Sequence, residues 1–178
     1  MIFSLHEHPD GVATEGGPRV VYDLDRGEAS LGAARVDGPA LVWELAGDRA
    51  GAALATELEL DPEVDWIMRC DRVDFPPGSV AYRHVHPGPG IRRLLFGELT
   101  IEADDGMHTY REGEAWFEGA GYPVRATASG NEDTAFVRVL LLPQEWEGKR
   151  TIRYLDPADE ERPKLQRAAV LLEEPLRL

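Results

Sequence analysis

The stretch Gly78-Ser79-Val80-Ala81-Tyr82-Arg83-His84-Val85-His86-Pro87-Gly88-Pro89-Gly90-Ile91-Arg92-Arg93-Leu94-Leu95-Phe96-Gly97 decides the fold. Val80–His86 reads as a strand stopped by Pro87-Gly88-Pro89-Gly90, a run that forbids helix. Ile91–Phe96 reads as the next strand and Gly97 as a tight turn. On a strand, alternate side chains share a face. His84 and His86 therefore project together, with Cα atoms roughly 6.5–7 Å apart, and Tyr82 is expected on the same face. Two neutral imidazoles at that spacing can reach one divalent cation. Two polar side chains at a strand end, satisfied by water or carbonyls, give the same pattern.

Short apolar segments bounded by turn residues continue on both sides. Trp66–Phe75 alternates and meets Pro76-Pro77-Gly78, and Glu98–Ala103 leads through Asp104-Asp105-Gly106 to His108–Arg111. Ala115–Glu118, Pro123–Ala128 and the strongly apolar Ala135–Leu142 follow. Upstream, Arg19–Leu24, Ala40–Leu45 and Leu54–Leu60 read as strands, with a short helical turn as the alternative for the alanine-rich Gly47–Ala55. Downstream, Gly148–Leu155 and Ala168–Leu172 read as strands, with Asp156–Pro163 a turn or short helix. So many short strands at near-regular spacing imply an all-β closed barrel or jelly roll.

These residues resemble the cupin superfamily. Its first motif is Gly, five residues, His-x-His, three or four residues, Glu, six residues, Gly; Gly78, His84, His86 and Gly97 match it. Its second motif, Gly, five residues, Pro-x-Gly, matches Gly113 and Gly119-Ala120-Gly121, with Gly119 in place of the proline. The resemblance implies a double-stranded β-helix with its barrel core at about 65–143, inside a single domain of 19–178 with a C-terminal extension from 144. The polar residues 1–18 are expected to be poorly ordered.

Two of the four usual ligand positions depart from the family. The Glu position falls at Gly90 and the final His position at Val124. The resemblance implies one divalent transition metal (Fe, Zn, Ni or Mn) on His84 and His86, with Glu118 as the candidate third ligand; His108 and Tyr82 are poorer ones. The alternative for Glu118 is a solvated carboxylate at a strand end. If Gly90 faces inward, alternation brings Arg92 inward as well, unless the register slips and Arg93 takes its place. Arg138 interrupts an apolar strand and needs a carboxylate or an anionic ligand if it is buried. With Tyr82 and Trp116 these arginines make a candidate pocket for a small carboxylate. Trp116 and Phe117 either line its mouth or pack in the core.

Cupins include dioxygenases, isomerases, decarboxylases and storage proteins, so the fold leaves the reaction open. Three readings remain: a metal-dependent enzyme, a metal-free binder or sensor, and a dimeric interaction module. The resemblance also implies a homodimer, in which an outer strand such as Ala168–Leu172 is protected by pairing. Apolar residues make up 43% of the 178-residue chain and charged residues 29%, the balance of a globular protein. A formal net charge of −14 repels phosphate backbones and anionic lipid, so neither nucleic acid nor membrane is an expected partner. Met1–Asp10 lacks a basic start and a long apolar run, and the cytoplasm is the default location. The single cysteine, Cys70, is expected to be a buried small hydrophobe. His6 and His8 repeat the His-x-His pattern in a segment expected to be mobile.

Overall fold

A computed structural model describes residues 1–45 and 47–176. The chain forms two compact units, one of Met1–Cys70, Val139–Glu147 and Val170 onward, the other of Asp71–Arg138 and Gly148–Ala169.

The first unit begins with β1 (Ile2–His8), β2 (Val12–Thr14), β3 (Arg19–Asp23), β4 (Glu28–Leu31), β5 (Ala34–Val36), β6 (Ala40–Leu45) and β7 (Leu54–Glu57). They form an antiparallel sheet in the order β4-β3-β6-β1-β7 and a separate β2-β5 ribbon. Residues 1–18 were expected to lack order, and the structure corrects this. Strand β1 lies between β6 and β7, with Phe3, Ser4 and Leu5 fully buried. Pairing on both sides satisfies the backbone of β1, and burial of two large apolar side chains outweighs the fraying expected of a terminus. The Gly47–Ala55 stretch forms turns and the start of β7 rather than helix, because Leu54 and Ala55 pair with Leu5 and Ser4.

The second unit takes up the chain within β8 (Trp66–Phe75), followed by β9 (Val80–Val85), β10 (Gly90–Phe96), β11 (Glu98–Ala103), β12 (Gly106–Arg111), β13 (Ala115–Glu118), β14 (Val124–Ala128), β15 (Thr134–Pro143) and β16 (Arg153–Tyr154). One sheet runs β13-β10-β15-β8, and the other runs β12-β11-β14-β9-β16. Their inner faces share one core. Val73, Phe75, Leu94, Trp116 and Phe136 come from the first sheet; Ala81, Leu99, Ile101, Val124, Ala126 and Ala128 come from the second. Each large apolar side chain buried there contributes roughly 1.5–3 kcal/mol. Trp116 meets Phe136 edge-on at 5.4 Å between ring centres, a favoured aromatic geometry.

Beyond Arg138, β15 continues into the first unit, where β15, β8 and β17 (Arg167–Pro175) lie side by side and Ile67, Leu140 and Leu142 form a small core. Cys70 is fully buried, as a small hydrophobe should be. Of the expected strand Gly148–Leu155 only β16 forms, and Pro157–Glu160 is a 3₁₀ turn capped by the Asp156 side chain on the Ala158 N–H. Among the described residues no helix is long and apolar enough to cross a membrane.

Candidate functional site

The site is built in the second unit. Strand β9 carries His84 but is not regular. His84 pairs with Val124 and Ala81 with Ala126, so three steps on β9 match two on β14. That extra residue is a β-bulge. It places both Ala81 and His84 toward the barrel interior, where strict alternation would have put Tyr82. Tyr82 instead packs under the Arg162 guanidinium, 4.9 Å from the ring centre. The expectation that Tyr82 shares the histidine face is thereby corrected: alternation resets at a bulge.

His84 and His86 are both buried, and their rings lie 5.0 Å apart, nearly perpendicular. The Nδ1–H of His84 donates to the Tyr82 carbonyl at 2.6 Å, which leaves Nε2 as its acceptor. His86 is held differently. Arg138 Nη1 lies 3.0 Å from His86 Nε2, and because arginine only donates, Nε2 must be the acceptor. The proton of His86 then sits on Nδ1. Burial, reinforced by Arg138, His84 and Arg92, pushes His86 well below the usual imidazole pKa. Burial lowers His84 as well, opposed in part by Glu118.

Arg92 faces inward with 1% of its side chain exposed, as the alternation from Gly90 implies. It lies 2.7 Å from Glu118 Oε2, and its Nη1 donates to the Gly90 carbonyl at 2.6 Å. The other carboxylate oxygen, Oε1, accepts from Trp116 Nε1 at 2.8 Å. Glu118 is therefore a buried, ion-paired group, not the solvated strand-end carboxylate that its residue type favours. Strand register explains the cluster. Across β10 and β13, Gly90 faces Glu118 and Arg92 faces Trp116. Burial lowers the Arg92 pKa to about 10, against the opposite pull of Glu118, so it stays cationic at neutral pH.

Arg138 is buried too, and its Nε and Nη2 donate to Asp71 Oδ2 at 3.2 and 2.9 Å. The cluster thus holds two cations, two anions and two neutral imidazoles. The family's metal does not fit this arrangement. One imidazole acceptor is taken by Arg138, both oxygens of Glu118 are engaged, and two guanidinium charges act on both imidazoles. Among the described residues no group of three or more His, Cys, Asp or Glu side chains is placed to hold a metal ion.

Beside the cluster opens a cavity of about 290 Å³, lined by Tyr110, Trp116, Phe117 and Tyr122 together with Glu118 and Asp105. Of the predicted site residues, Trp116 and Glu118 line it, while His84, His86, Arg92 and Arg138 are buried behind them. Tyr110, Tyr122 and Asp105 escaped the sequence reading. The signal for Tyr110 was present: His108 and Tyr110 alternate on β12 as Ile101 and Ala103 do on β11, and Ile101 pairs with His108.

Two antiparallel sheets closed over one shared apolar core define a jelly-roll type of β-barrel. Residues 71–140 match the family model for the cupin domain. That segment, residues 71–140, carries the cupin domain. Among solved structures the chain is similar to the polyketide cyclase RemF from Streptomyces resistomycificus, at 16% identity and a TM-score of 0.41, covering 54% of this chain and 64% of that one. It thus spans less than two thirds of that cyclase. It is also similar to an oxalate oxidase in complex with the substrate analogue glycolate, at 18% identity and a TM-score of 0.42, covering 84% of this chain and 87% of that one. A cupin barrel protein from Leptotrichia buccalis, at 13% identity and a TM-score of 0.39, covers 79% of this chain and 73% of its own. Comparison with curated proteins gave no match.

Proposed function

We propose that this cupin binds a small organic molecule in the cavity beside Trp116 and Glu118, with no resident metal. The observation that supports this best is the pairing of Arg138 with His86 and of Arg92 with Glu118, which commits the would-be ligand atoms to guanidinium groups. A buried charge left without its partner is costly, so the Arg92–Glu118 ion pair resists being opened for a cation. The cavity offers what the cluster does not: apolar ring surface, a few convergent polar groups and open volume.

The test is a fragment screen by ligand-observed NMR on chelator-treated protein, beside an Ala103→Phe variant that fills the cavity, whose lining includes Ala103. Hits that bind the metal-free protein, raise its melting temperature and vanish in the variant are expected. Absence of cavity-dependent hits would overturn the reading. So would one transition metal per chain by elemental mass spectrometry, lost in the His84→Ala/His86→Ala double variant.

A further inference from the structure

We propose, resting on that reading, that the cavity selects organic cations, specifically a protonated amine carried on a single flat ring. The charged groups among its described lining residues are the carboxylates Asp105 and Glu118, and that lining includes no arginine or lysine. Glu118 is balanced by Arg92 behind it. The hydrogen-bond partner of Asp105 is a neutral phenol, the Tyr122 hydroxyl, which donates to Oδ1 and cancels no charge. Arg83, Arg111 and Arg125 turn to carboxylates outside the lining, namely Asp104, Glu98 and Glu102. An anion entering here would meet carboxylates first.

The rings set the shape of the space. Tyr110 stacks on Trp116 with centres 4.6 Å apart and planes 22° from parallel, and His108 lies 4.4 Å from Tyr110, so the stack gives the cavity a flat wall that suits a single ring. The tyrosine hydroxyls report the field of the carboxylates. Tyr122 is pushed up to about 12, first by its bond to Asp105, with Asp104 and Glu118 adding to it. Tyr110 is pushed up by burial and then by Glu118, Glu114 and Asp105. Both phenols stay neutral and can accept a hydrogen bond from an ammonium group. About 290 Å³ lies at the small end of ligand pockets, which limits the occupant to one ring and a short chain.

Three probes share one ring and differ in charge: 2-phenylethylamine, 3-phenylpropionate and 2-phenylethanol. Their affinities are read by calorimetry at pH 7 and low salt, on the wild-type chain and on Asp105→Asn, Trp116→Phe and Ala103→Phe variants checked for unchanged melting. The ammonium probe is expected to bind at least ten-fold tighter than the carboxylate, with a preference that shrinks as salt is added. Asp105→Asn should erase most of the preference, Trp116→Phe should weaken all three probes, and Ala103→Phe should abolish binding. Equal or tighter binding of the carboxylate, lost in Ala103→Phe, would overturn cation selection while leaving the cavity's ligand-binding role intact. Ammonium binding indifferent to Asp105→Asn and Ala103→Phe would place it elsewhere and overturn the inference. No probe binding would overturn it as well, and the fragment screen then decides separately whether the cavity binds anything.

Discussion

Arg138 donates to the Nε2 of His86 at 3.0 Å while gripping Asp71 Oδ2 with its remaining nitrogens, at 2.9 and 3.2 Å. One guanidinium thereby joins β8 and β15 to the His-x-His segment and fixes the tautomer of His86. The Asp71 side chain is 2% exposed, and Arg138 pairs with its buried charge at 2.9 Å.

Arg138→Met should therefore cost about 3–5 kcal/mol, the scale of a buried ion pair broken on one side. The double variant Arg138→Met/Asp71→Asn should recover a substantial part of that loss, because no uncompensated charge is left behind. Urea denaturation of the two single variants and the double variant closes the cycle. Additive losses would show that the two side chains act independently.

His84 and His86 give the stability a direction with pH. Both are held below the ordinary imidazole value when folded, chiefly by burial. Below pH 6.5 the unfolded chain binds protons that the folded chain refuses, so stability falls on acidification from 6.5 toward the folded pKa values. The loss approaches about 1.4 kcal/mol per pH unit for each histidine once the unfolded form is mostly protonated. His86→Gln keeps an acceptor for Arg138 but removes the titration of the more strongly depressed histidine, so the larger part of the slope these two histidines give between about pH 6.5 and 5.5 should go with it. Urea midpoints over that window check this, above the range where ordinary carboxylates titrate.

Much of the barrel was legible in the residues because alternation and turn chemistry coincide there. Trp66–Phe75, Glu98–Ala103 and Ala115–Glu118 form strands with the bounds their patterns imply. Counting alternate positions from Gly90 left Arg92 or, with a one-residue slip, Arg93 as the inward arginine, and the unbroken β10–β13 register decides for Arg92. The same count failed at Tyr82, since nothing in Tyr82-Arg83 announces the bulge that resets the face. Arg138 was marked as needing a carboxylate, but its partner Asp71 is 67 residues away and no local pattern links them. Asp105 read as a turn residue, and its place in the cavity appears only once the β11–β12 hairpin is folded over Trp116.

Gly97 closes the turn between β10 and β11 at φ +79°, a conformation that favours glycine. A Cβ there would stand 2.5 Å from both the Asp133 carbonyl oxygen and Thr134 Oγ1. That hydroxyl also bridges the Glu98 backbone, accepting from its N–H at 3.2 Å and donating to its carbonyl at 3.1 Å. Gly97→Ala should thus cost about 2–4 kcal/mol, combining left-handed backbone strain with overpacking. Thermal melts measure the loss, and Gly130→Ala is the matched control, because no atom lies within 4 Å of the Cβ it would add. A loss under about 0.5 kcal/mol at Gly97 would show that the turn has room to shift.

The first strand carries the remaining prediction. Phe3 and Leu5 are fully buried, and β1 pairs with β6 from Phe3 to His8 and with β7 from Ile2 to Leu5. Phe3→Ala should cost about 3–5 kcal/mol, through lost burial and the cavity left behind. Deleting residues 1–8 should do more, since it strips ladder partners from two strands at once and leaves their backbone groups unpaired. Hydrogen exchange distinguishes a local defect from a wider one. Protection lost in β6 and β7 but kept in β9, β11 and β14 would mean that the two units open separately. Loss of protection throughout both units would mean that β1 supports the folding of the whole chain. Unchanged protection in β6 and β7 would contradict the central place of β1 in its sheet.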